Sequence, residues 1–280
     1  MAGEKSFRRL RMGLSTILGL RPQGFFIPYR HADSATPFGG YKEIEKKFNK
    51  SNSYFAEFIS KFDKFSAEFE AIGPDTPPEP RWHQDWFPPL DAAATYTMVR
   101  DQKPARIVEV GSGHSTRFMA RAVRDGGLDT KITAIDPAPR ATITGLPIEI
   151  INATAQTVDM VVFEALQAGD ILFIDSSHIL MPGTDVDFLF NRVLPALPAG
   201  VLVHIHDIFL PDDYPESWTW RGYNEQQAAA PLIHTGGYEL LFSSQYARTR
   251  LTDAIARSPV ATLPMSKDAI DTSLWLKKKR

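Results

Sequence analysis

The chain has 280 residues, of which 43% are hydrophobic and 23% are charged, which is a globular rather than a disordered composition. This length suits one large α/β domain with an extension, or two small domains. The net charge of −2 gives no electrostatic ground for nucleic-acid binding, and the absence of cysteine excludes disulfides, thiolate nucleophiles, Cys-ligated zinc and iron–sulfur clusters.

Residues 5–20, KSFRRLRMGLSTILGL, combine basic residues with a short apolar run. The run is too short to span a bilayer, and no small-residue cleavage site of a signal peptide follows it. An amphipathic helix that packs on a partner subunit or shields a pocket is favoured over a helix on a membrane surface. We therefore expect a cytoplasmic homo-oligomer with no membrane span.

Residues 43–72 carry aromatic and aliphatic side chains at mostly helical spacing, with charged residues between them. These side chains are Phe48, Phe55, Phe58, Ile59, Phe62, Phe65 and Phe69. The pattern predicts an amphipathic helix or a helical pair whose phenylalanines lie in the core or at a subunit interface. The segment GPDTPPEP ends it as a linker. We expect residues 1–80 to form an N-terminal helical extension, used as a lid or in oligomerisation, and residues 81–280 to form the main domain.

Strands and helices alternate in the main domain. Strands are predicted at residues 106–110, 131–135, 148–150, 171–174 and 201–205, and helices at residues 89–100, 115–124, 157–166 and 184–197. Such alternation favours a mainly parallel α/β sheet with helices on both faces, which binds its ligand beyond the carboxyl ends of the strands. Two later runs, GYELLFSS and TSLWLKK, predict an antiparallel pair at one edge.

A glycine turn, Gly111-Ser112-Gly113, joins the first of these strands to a helix that should begin near Ser115, a residue suited to cap it. Glu109 precedes the turn, and Asp136 ends the next strand. A carboxylate at that position is suited to bind both hydroxyls of a ribose. The turn lacks the third glycine of the dinucleotide fingerprint.

Two further strands end in acidic and histidine residues. Asp175 follows the run ILFI with His178 three residues later, and His206 and Asp207 follow the run LVHI. Neighbouring parallel strands would bring these side chains together, and a divalent cation would relieve the repulsion between the two carboxylates. A non-haem iron site that includes His204 is disfavoured, because no jelly-roll pattern accompanies it, and His204 is interpreted as a hydrogen-bonded core residue.

The Glu109–Gly113 segment followed by Ile135-Asp136 resembles the motif pair of class I S-adenosylmethionine-dependent methyltransferases. The resemblance extends from about Trp82 to the last residue, and it implies a Rossmann-like sheet of seven strands, mostly parallel with an antiparallel last strand. It also implies S-adenosylmethionine as cofactor. The implied cofactor-binding residues are Glu109, Gly111, Ser112, Gly113, Ser115, Asp136, Ala155 and Asp175.

The D-x-x-H run at residues 175–178 further resembles a metal-dependent O-methyltransferase branch that includes macrolide-sugar methyltransferases and cephalosporin hydroxylase-like proteins. The resemblance implies that Asp175, Asp207 and the residue at position 206 bind Mg²⁺ or Mn²⁺, with His178 as the general base. His206 departs from the family, which has an acidic residue there. Imidazole suits Mn²⁺, Fe²⁺ or Zn²⁺ better than Mg²⁺. Three alternatives follow: the metal differs, His206 does not ligate it and the site is weaker, or the site holds no metal.

The leading hypothesis is a methyltransferase that acts on a small hydroxylated acceptor, a sugar or another natural product. The loop FLPDDYPESWTWRGYNEQ, residues 209–226, is expected to lie near the site as a lid, with aromatic side chains that could stack on the acceptor. A non-catalytic cofactor-binding or assembly subunit is the alternative that the His206 departure and the phenylalanine-rich segment support. A nucleotide-cofactor oxidoreductase is disfavoured by the missing third glycine.

Overall fold

The computed structural model of the protein describes residues 2–139 and 141–280 and divides into two compact units, Met1–Phe38 and Gly39–Arg280. The first unit contains helix α1 (Ala2–Ile17) and a 3₁₀ turn at Ala32–Ser34. The chain after α1 is fastened to the end of the helix, because the Gln23 amide donates to Thr16 Oγ1 at 2.9 Å. Within the described residues, no helix is both long enough and apolar enough to cross a bilayer.

The second unit contains the sheet and the remaining helices. Its strands are β1 (Arg106–Val110), β2 (Lys131–Ile135), β3 (Glu149–Ile151), β4 (Ile171–Ile174), β5 (Leu202–Ile205), β6 (Tyr238–Ser243) and β7 (Leu274–Lys278). Its α-helices are α2 (Lys42–Lys50), α3 (Asn52–Ser60), α4 (Ser66–Glu70), α5 (Pro89–Gln102), α6 (His114–Gly126), α7 (Val161–Glu164), α8 (Asp185–Phe188), α9 (Leu194–Ala196), α10 (Gln226–His234), α11 (Ser244–Arg250) and α12 (Thr252–Ala256). A π-helical turn, Leu189–Val193, joins α8 to α9, and 3₁₀ turns lie at Lys61–Phe65, Ala155–Thr157, Glu216–Arg221 and Pro259–Thr262.

The seven strands form one sheet in the order β3-β2-β1-β4-β5-β7-β6. Strands β1 to β5 pair in parallel, and β7 runs antiparallel to both β5 and β6. The predicted Rossmann-like sheet with an antiparallel last strand is confirmed. The two late runs do form the predicted antiparallel pair at one edge.

The register of the central strands brings their carboxyl ends together. All four residues of β4 are buried, and so are all four of β5, as expected for strands covered on both faces. Val110 of β1 lies beside Ile174 of β4, and Ile174 lies beside Ile205 of β5. The residues that follow these positions therefore share one edge of the sheet.

The phenylalanines of residues 43–72 lie in the core of the second unit. Phe48 packs on Tyr246 with 5.2 Å between ring centroids, and Phe58 packs on Phe242 at 4.9 Å. Each buried aromatic removes a large apolar area from water, so these contacts stabilise the sheet edge that they cover. The core location is confirmed, whereas the domain boundary after residue 80 and the lid or oligomerisation role stay predictions.

One predicted helix is wrong in extent. Residues 157–166 were expected to be helical, but only α7, Val161–Glu164, is an α-helix there. The Asp159 carboxylate accepts the Val161 amide at 3.1 Å just before the helix, whose N-cap residue is Met160. Of the α7 side chains only Phe163 is buried, so there is little apolar surface to stabilise a longer helix.

Candidate active site at the carboxyl ends of the strands

The two glycines of the turn after β1 meet different surroundings. Gly111 has φ +80°, and a Cβ built on it would lie 2.0 Å from the carbonyl oxygen of Asp175. Only glycine fits there, because the backbone ends of β1 and β4 approach each other closely. A Cβ on Gly113 would meet no atom within 4 Å, so the turn opens at Gly113 onto space that a ligand can enter.

Glu109 fastens the start of α6 to β1. Its carboxylate is fully buried and accepts hydrogen bonds from Ser115 Oγ and Thr116 Oγ1, both at 2.6 Å. Burial raises the pKa of Glu109 to about 8, since the charged form is poorly solvated there. Ser115 does not cap the helix as predicted. Helix α6 begins one residue earlier, with Gly113 as its N-cap residue, and the Ser115 hydroxyl donates to Glu109 instead.

Asp136 ties the end of β2 to the glycine turn. One carboxylate oxygen accepts from the amide and the hydroxyl of Ser112, at 2.9 and 2.8 Å, and the other accepts from the Ala138 amide at 2.7 Å. A carboxylate has about four acceptor sites, so these three bonds leave it capacity to accept from a ligand hydroxyl. Ala155 is buried and opens the 3₁₀ turn after β3.

The acids and the imidazole at the ends of β4 and β5 do converge. His178 Nε2 lies 3.3 Å from an Asp175 oxygen and 3.3 Å from an Asp207 oxygen. The other ring nitrogen, Nδ1, lies 2.8 Å from the carboxylate of Glu225, a residue with no exposed surface. His178 is thus held between one carboxylate on its Nδ1 side and two on its Nε2 side.

His206 also lies beside the two acids. Its Nδ1 lies 3.6 Å from Asp175 Oδ1 and 3.5 Å from Asp207 Oδ1. Its Nε2 lies 3.2 Å from the carboxylate of the fully buried Asp91, which also accepts from the Ser244 hydroxyl and the Thr272 and Ser273 amides. Asp91 therefore fixes the orientation of the imidazole that faces Asp175 and Asp207.

Two residues of this cluster have a strained backbone. Among the described non-glycine residues with positive φ are His178 at +61° and Asp207 at +57°, together with Lys103, which ends helix α5. A non-glycine residue in this region costs on the order of 1–3 kcal/mol and persists only where the surroundings impose it. Such strain is concentrated at functional sites, which favours a functional role for this cluster.

The electrostatics of the cluster are set by its excess of acids. Burial alone would lower the pKa of His178 and His206, but the adjacent carboxylates outweigh it and raise both well above the ordinary value. Burial alone would raise the pKa of Asp175, but His206 and His178 lower it. Asp91, Asp175, Asp207 and Glu225 form ion pairs only with these two histidines within the part of the chain that the structure describes.

The predicted metal ligands form no recognisable metal centre as they stand. Over residues 2–139 and 141–280, no group of three or more histidine and acidic side chains has the arrangement of a metal site. The donor types nevertheless fit a divalent transition-metal ion. Two ligand atoms about 2.1 Å from one ion lie roughly 3.0–3.4 Å apart. The distances from His206 Nδ1 to the Asp175 and Asp207 oxygens, 3.6 and 3.5 Å, are slightly longer than this range.

Asp91 and Glu225 were not predicted as site residues from the sequence. A signal existed for each: Asp91 is the single charged residue in the run PPLDAAATYTMV, and Glu225 lies in the triplet Asn224-Glu225-Gln226. The triplet spans the start of helix α10, which begins at Gln226. Asn224 also accepts from the Leu180 amide at 2.7 Å, so the triplet fixes both His178 and the chain just beyond it.

Aromatic side chains of the loop after β5 lie beside His178. The Tyr223 ring centroid is 4.6 Å from that of His178, and Trp218 and Tyr214 contact Tyr223 at 6.0 and 6.2 Å. The Arg221 guanidinium lies 4.1 Å from the Trp218 ring centroid, within cation–π distance. The predicted proximity of this loop to the strand ends is confirmed.

The central part of the chain matches a known protein family. Residues 108–208 match the family model described as "Methyltransferase domain". This segment resembles known methyltransferase domains. It contains both the glycine turn and the Asp175–Asp207 cluster, so the resemblance to methyltransferases is confirmed for these residues. No curated protein matches the sequence.

Several solved structures also resemble this chain. The Podospora anserina methyltransferase PaMTH1 bound to SAH is 15% identical, with 92% of this chain and 100% of that chain covered and a TM-score of 0.42. The O-methyltransferase TomG from Streptomyces achromogenes in complex with SAM is 15% identical over 80% and 90%, with a TM-score of 0.43. Apo CmcI-N160 is 15% identical over 76% and 84%, with a TM-score of 0.44. At TM-scores below 0.5 these likenesses support no inference about function.

Proposed function

We propose that the protein is an S-adenosylmethionine-dependent O-methyltransferase for a small hydroxylated acceptor, with His178 as general base and a divalent cation at Asp175, His206 and Asp207. The observation that carries the proposal is the position of His178 Nε2, 3.3 Å from both Asp175 and Asp207. This cluster adjoins the glycine turn, because the Asp175 carbonyl lies against Gly111. A base and a cofactor turn are thus neighbours at one sheet edge.

The turn side of the cluster is proposed to hold the methyl donor. The residues in question are Glu109, Gly111, Ser112, Gly113, Ser115, Asp136, Ala155 and Asp175. The methyltransferase domain match and the open space beside Gly113 support this assignment. S-adenosylmethionine supplies a methyl group already activated by its sulfonium. The protein's task is therefore to orient the acceptor, exclude water and remove one proton.

Proton removal is assigned to the Glu225–His178 pair. Glu225 accepts a hydrogen bond from His178 Nδ1–H at 2.8 Å. The other nitrogen, Nε2, is then the one that takes the proton of the acceptor's hydroxyl. The acids that raise the pKa of His178 would keep its resting form protonated. A cation held by Asp175, His206 and Asp207 would supply positive charge that offsets these acids and would lower the pKa of an acceptor hydroxyl.

The cation is proposed to be Mn²⁺ or another transition metal rather than Mg²⁺. Two carboxylates and one imidazole meet here, and these donor types suit a transition metal. The other ring nitrogen of His206, Nε2, donates a hydrogen bond to the buried Asp91. Metal-binding histidines usually have such a carboxylate partner, which fixes the ring and raises the basicity of the ligating nitrogen. The excess of carboxylates over histidines also calls for added positive charge.

The acceptor is proposed to be a sugar or a planar hydroxylated compound. Tyr223, Trp218 and Tyr214 give an aromatic wall beside His178, and such faces stack on sugar or aromatic rings. A hydroxyl of a molecule stacked on Tyr223 would lie next to the imidazole.

The test combines binding and turnover. We expect calorimetry to show S-adenosylmethionine binding and no NAD⁺ binding, and methyl transfer from labelled S-adenosylmethionine to an acceptor among glycosides and phenols. His178→Ala should lower kcat about 100- to 10,000-fold while leaving S-adenosylmethionine affinity unchanged. Normal turnover by this variant would exclude His178 as the base. Binding of NAD⁺ alone would point to an oxidoreductase instead.

A further inference from the structure

Helix α1 carries an exposed apolar stripe. Phe7, Leu10, Leu14 and Ile17 are each 49–70% exposed, and they follow the spacing i, i+3, i+7, i+10. At 3.6 residues per turn these four positions span an arc of about 80°. The stripe is therefore one continuous apolar face and not a scatter of single residues.

Arginines lie on the rest of α1. Arg11 borders the apolar stripe, and Arg8 and Arg9 lie on the remainder of the helix surface, all three exposed. Residues 1–38 contain six basic and two acidic residues, a net charge of +4 in a chain whose total is −2. The remaining 242 residues therefore carry −6, an asymmetry that is typical of a segment with its own anionic partner.

The apolar exposure continues beyond the helix. The exposed large hydrophobic residues of this unit are Phe7, Leu10, Leu14, Ile17, Leu18, Leu20, Phe25, Phe26, Ile27, Tyr29 and Phe38. Their mixture of aliphatic and aromatic side chains with arginine is the composition of segments that lie in the interfacial region of a bilayer.

We propose that residues 7–38 bind the surface of an anionic lipid bilayer, with α1 lying in the interface plane. The apolar stripe would enter the acyl boundary while the arginines contact lipid phosphates. The length and polarity of α1 fit a helix that lies on a membrane and does not cross it, in agreement with the absence of a spanning helix among the described residues.

A second copy of this chain is a poorer partner for the same surface. Among the described residues of the Gly39–Arg280 unit, the exposed large hydrophobic ones come from separate parts of the chain: Tyr54, Trp86, Val161, Trp220 and Met265. That unit offers little apolar surface to receive the stripe. Pairing of two copies of residues 1–38 would bring two segments of net charge +4 together.

The experiment measures cosedimentation of the full chain with lipid vesicles. One set contains phosphatidylcholine alone, and the other an equimolar mixture of phosphatidylcholine and phosphatidylglycerol. We expect the chain to bind the anionic vesicles, and this binding should weaken as the salt concentration rises. Binding to the neutral vesicles should be at least about tenfold weaker. The apolar variant is Leu10→Gln with Leu14→Gln, and the basic variant is Arg8→Gln, Arg9→Gln and Arg11→Gln.

Both variants keep good helix formers, so loss of binding would report the removed side chains. Each should reduce vesicle binding about tenfold or more, and the control Tyr54→Gln, which removes an exposed aromatic from α3, should not. Light scattering gives the second readout. If the wild type binds neither vesicle, the proposal is wrong. It is also wrong if the apolar variant changes only the oligomeric state, because the stripe is then a contact between copies. Equal binding to both vesicles would overturn the anionic-lipid assignment.

Discussion

Replacement of Glu225 by glutamine tests the Glu225–His178 pair directly. The substitution keeps the size of a fully buried side chain and removes its charge. A hydrogen bond to a charged partner contributes about 1.5–3 kcal/mol, and 1.4 kcal/mol corresponds to a factor of ten, so kcat should fall about 10- to 100-fold. The 2.8 Å contact to Nδ1 places Glu225 on the far side of the imidazole from Asp175 and Asp207. Affinity for S-adenosylmethionine should therefore be unchanged.

The assay uses the acceptor that the wild-type protein methylates fastest, and it separates kcat from KM. Histidine side-chain NMR gives a readout that needs no acceptor, since the protonation of the His178 ring nitrogens should change in the variant. Glu57→Gln, the same substitution at an exposed position of α3, is the matched control. Wild-type kcat together with an unchanged His178 spectrum in Glu225→Gln would refute the assigned pairing.

Two further predictions concern the glycine turn and the carboxylate beneath it. Because burial raises the pKa of Glu109 from an ordinary 4.5 to about 8, the folded state holds a proton that the unfolded state loses, so this residue's contribution to stability falls as pH rises from about 4.5 to 8. Urea unfolding should show a flatter pH dependence for Glu109→Gln over that window, and an unchanged slope would contradict the raised pKa. Gly111→Ala should destabilise the fold by at least about 1–3 kcal/mol, because its Cβ would clash with the Asp175 carbonyl at positive φ. Gly113→Ala should destabilise the fold less than Gly111→Ala does and should weaken S-adenosylmethionine binding in calorimetry. Equal stability of the two variants would show that the Asp175 contact is not rigid.

Much of the fold could be predicted from the sequence because its signals are local. The predicted bounds of β1, β2 and β4 agree with the structure, since these strands are short runs of β-branched and aliphatic residues with turn residues after them. Helix α7 was predicted too long, because a weak apolar spacing over residues 157–166 could not reveal that only Phe163 of this helix would be buried.

The convergence of Asp175, Asp207 and His178 was also predictable. It follows from one general rule, that the carboxyl ends of neighbouring parallel strands share an edge. The distances between these side chains were not predictable. They depend on the positive φ of His178 and Asp207, which arises from the tertiary contacts around these residues.

The sequence by itself determined the alternation of strands and helices, the glycine turn and the identity of the acids at the strand ends, because each depends on residues close together in the chain. Only the tertiary structure decided which carboxylates hold the two imidazoles. Glu225 is 47 residues from His178, and Asp91 is 115 residues from His206. No local pattern encodes such distant pairs, since they form only when helix α5 and the segment before α10 pack against the ends of β4 and β5.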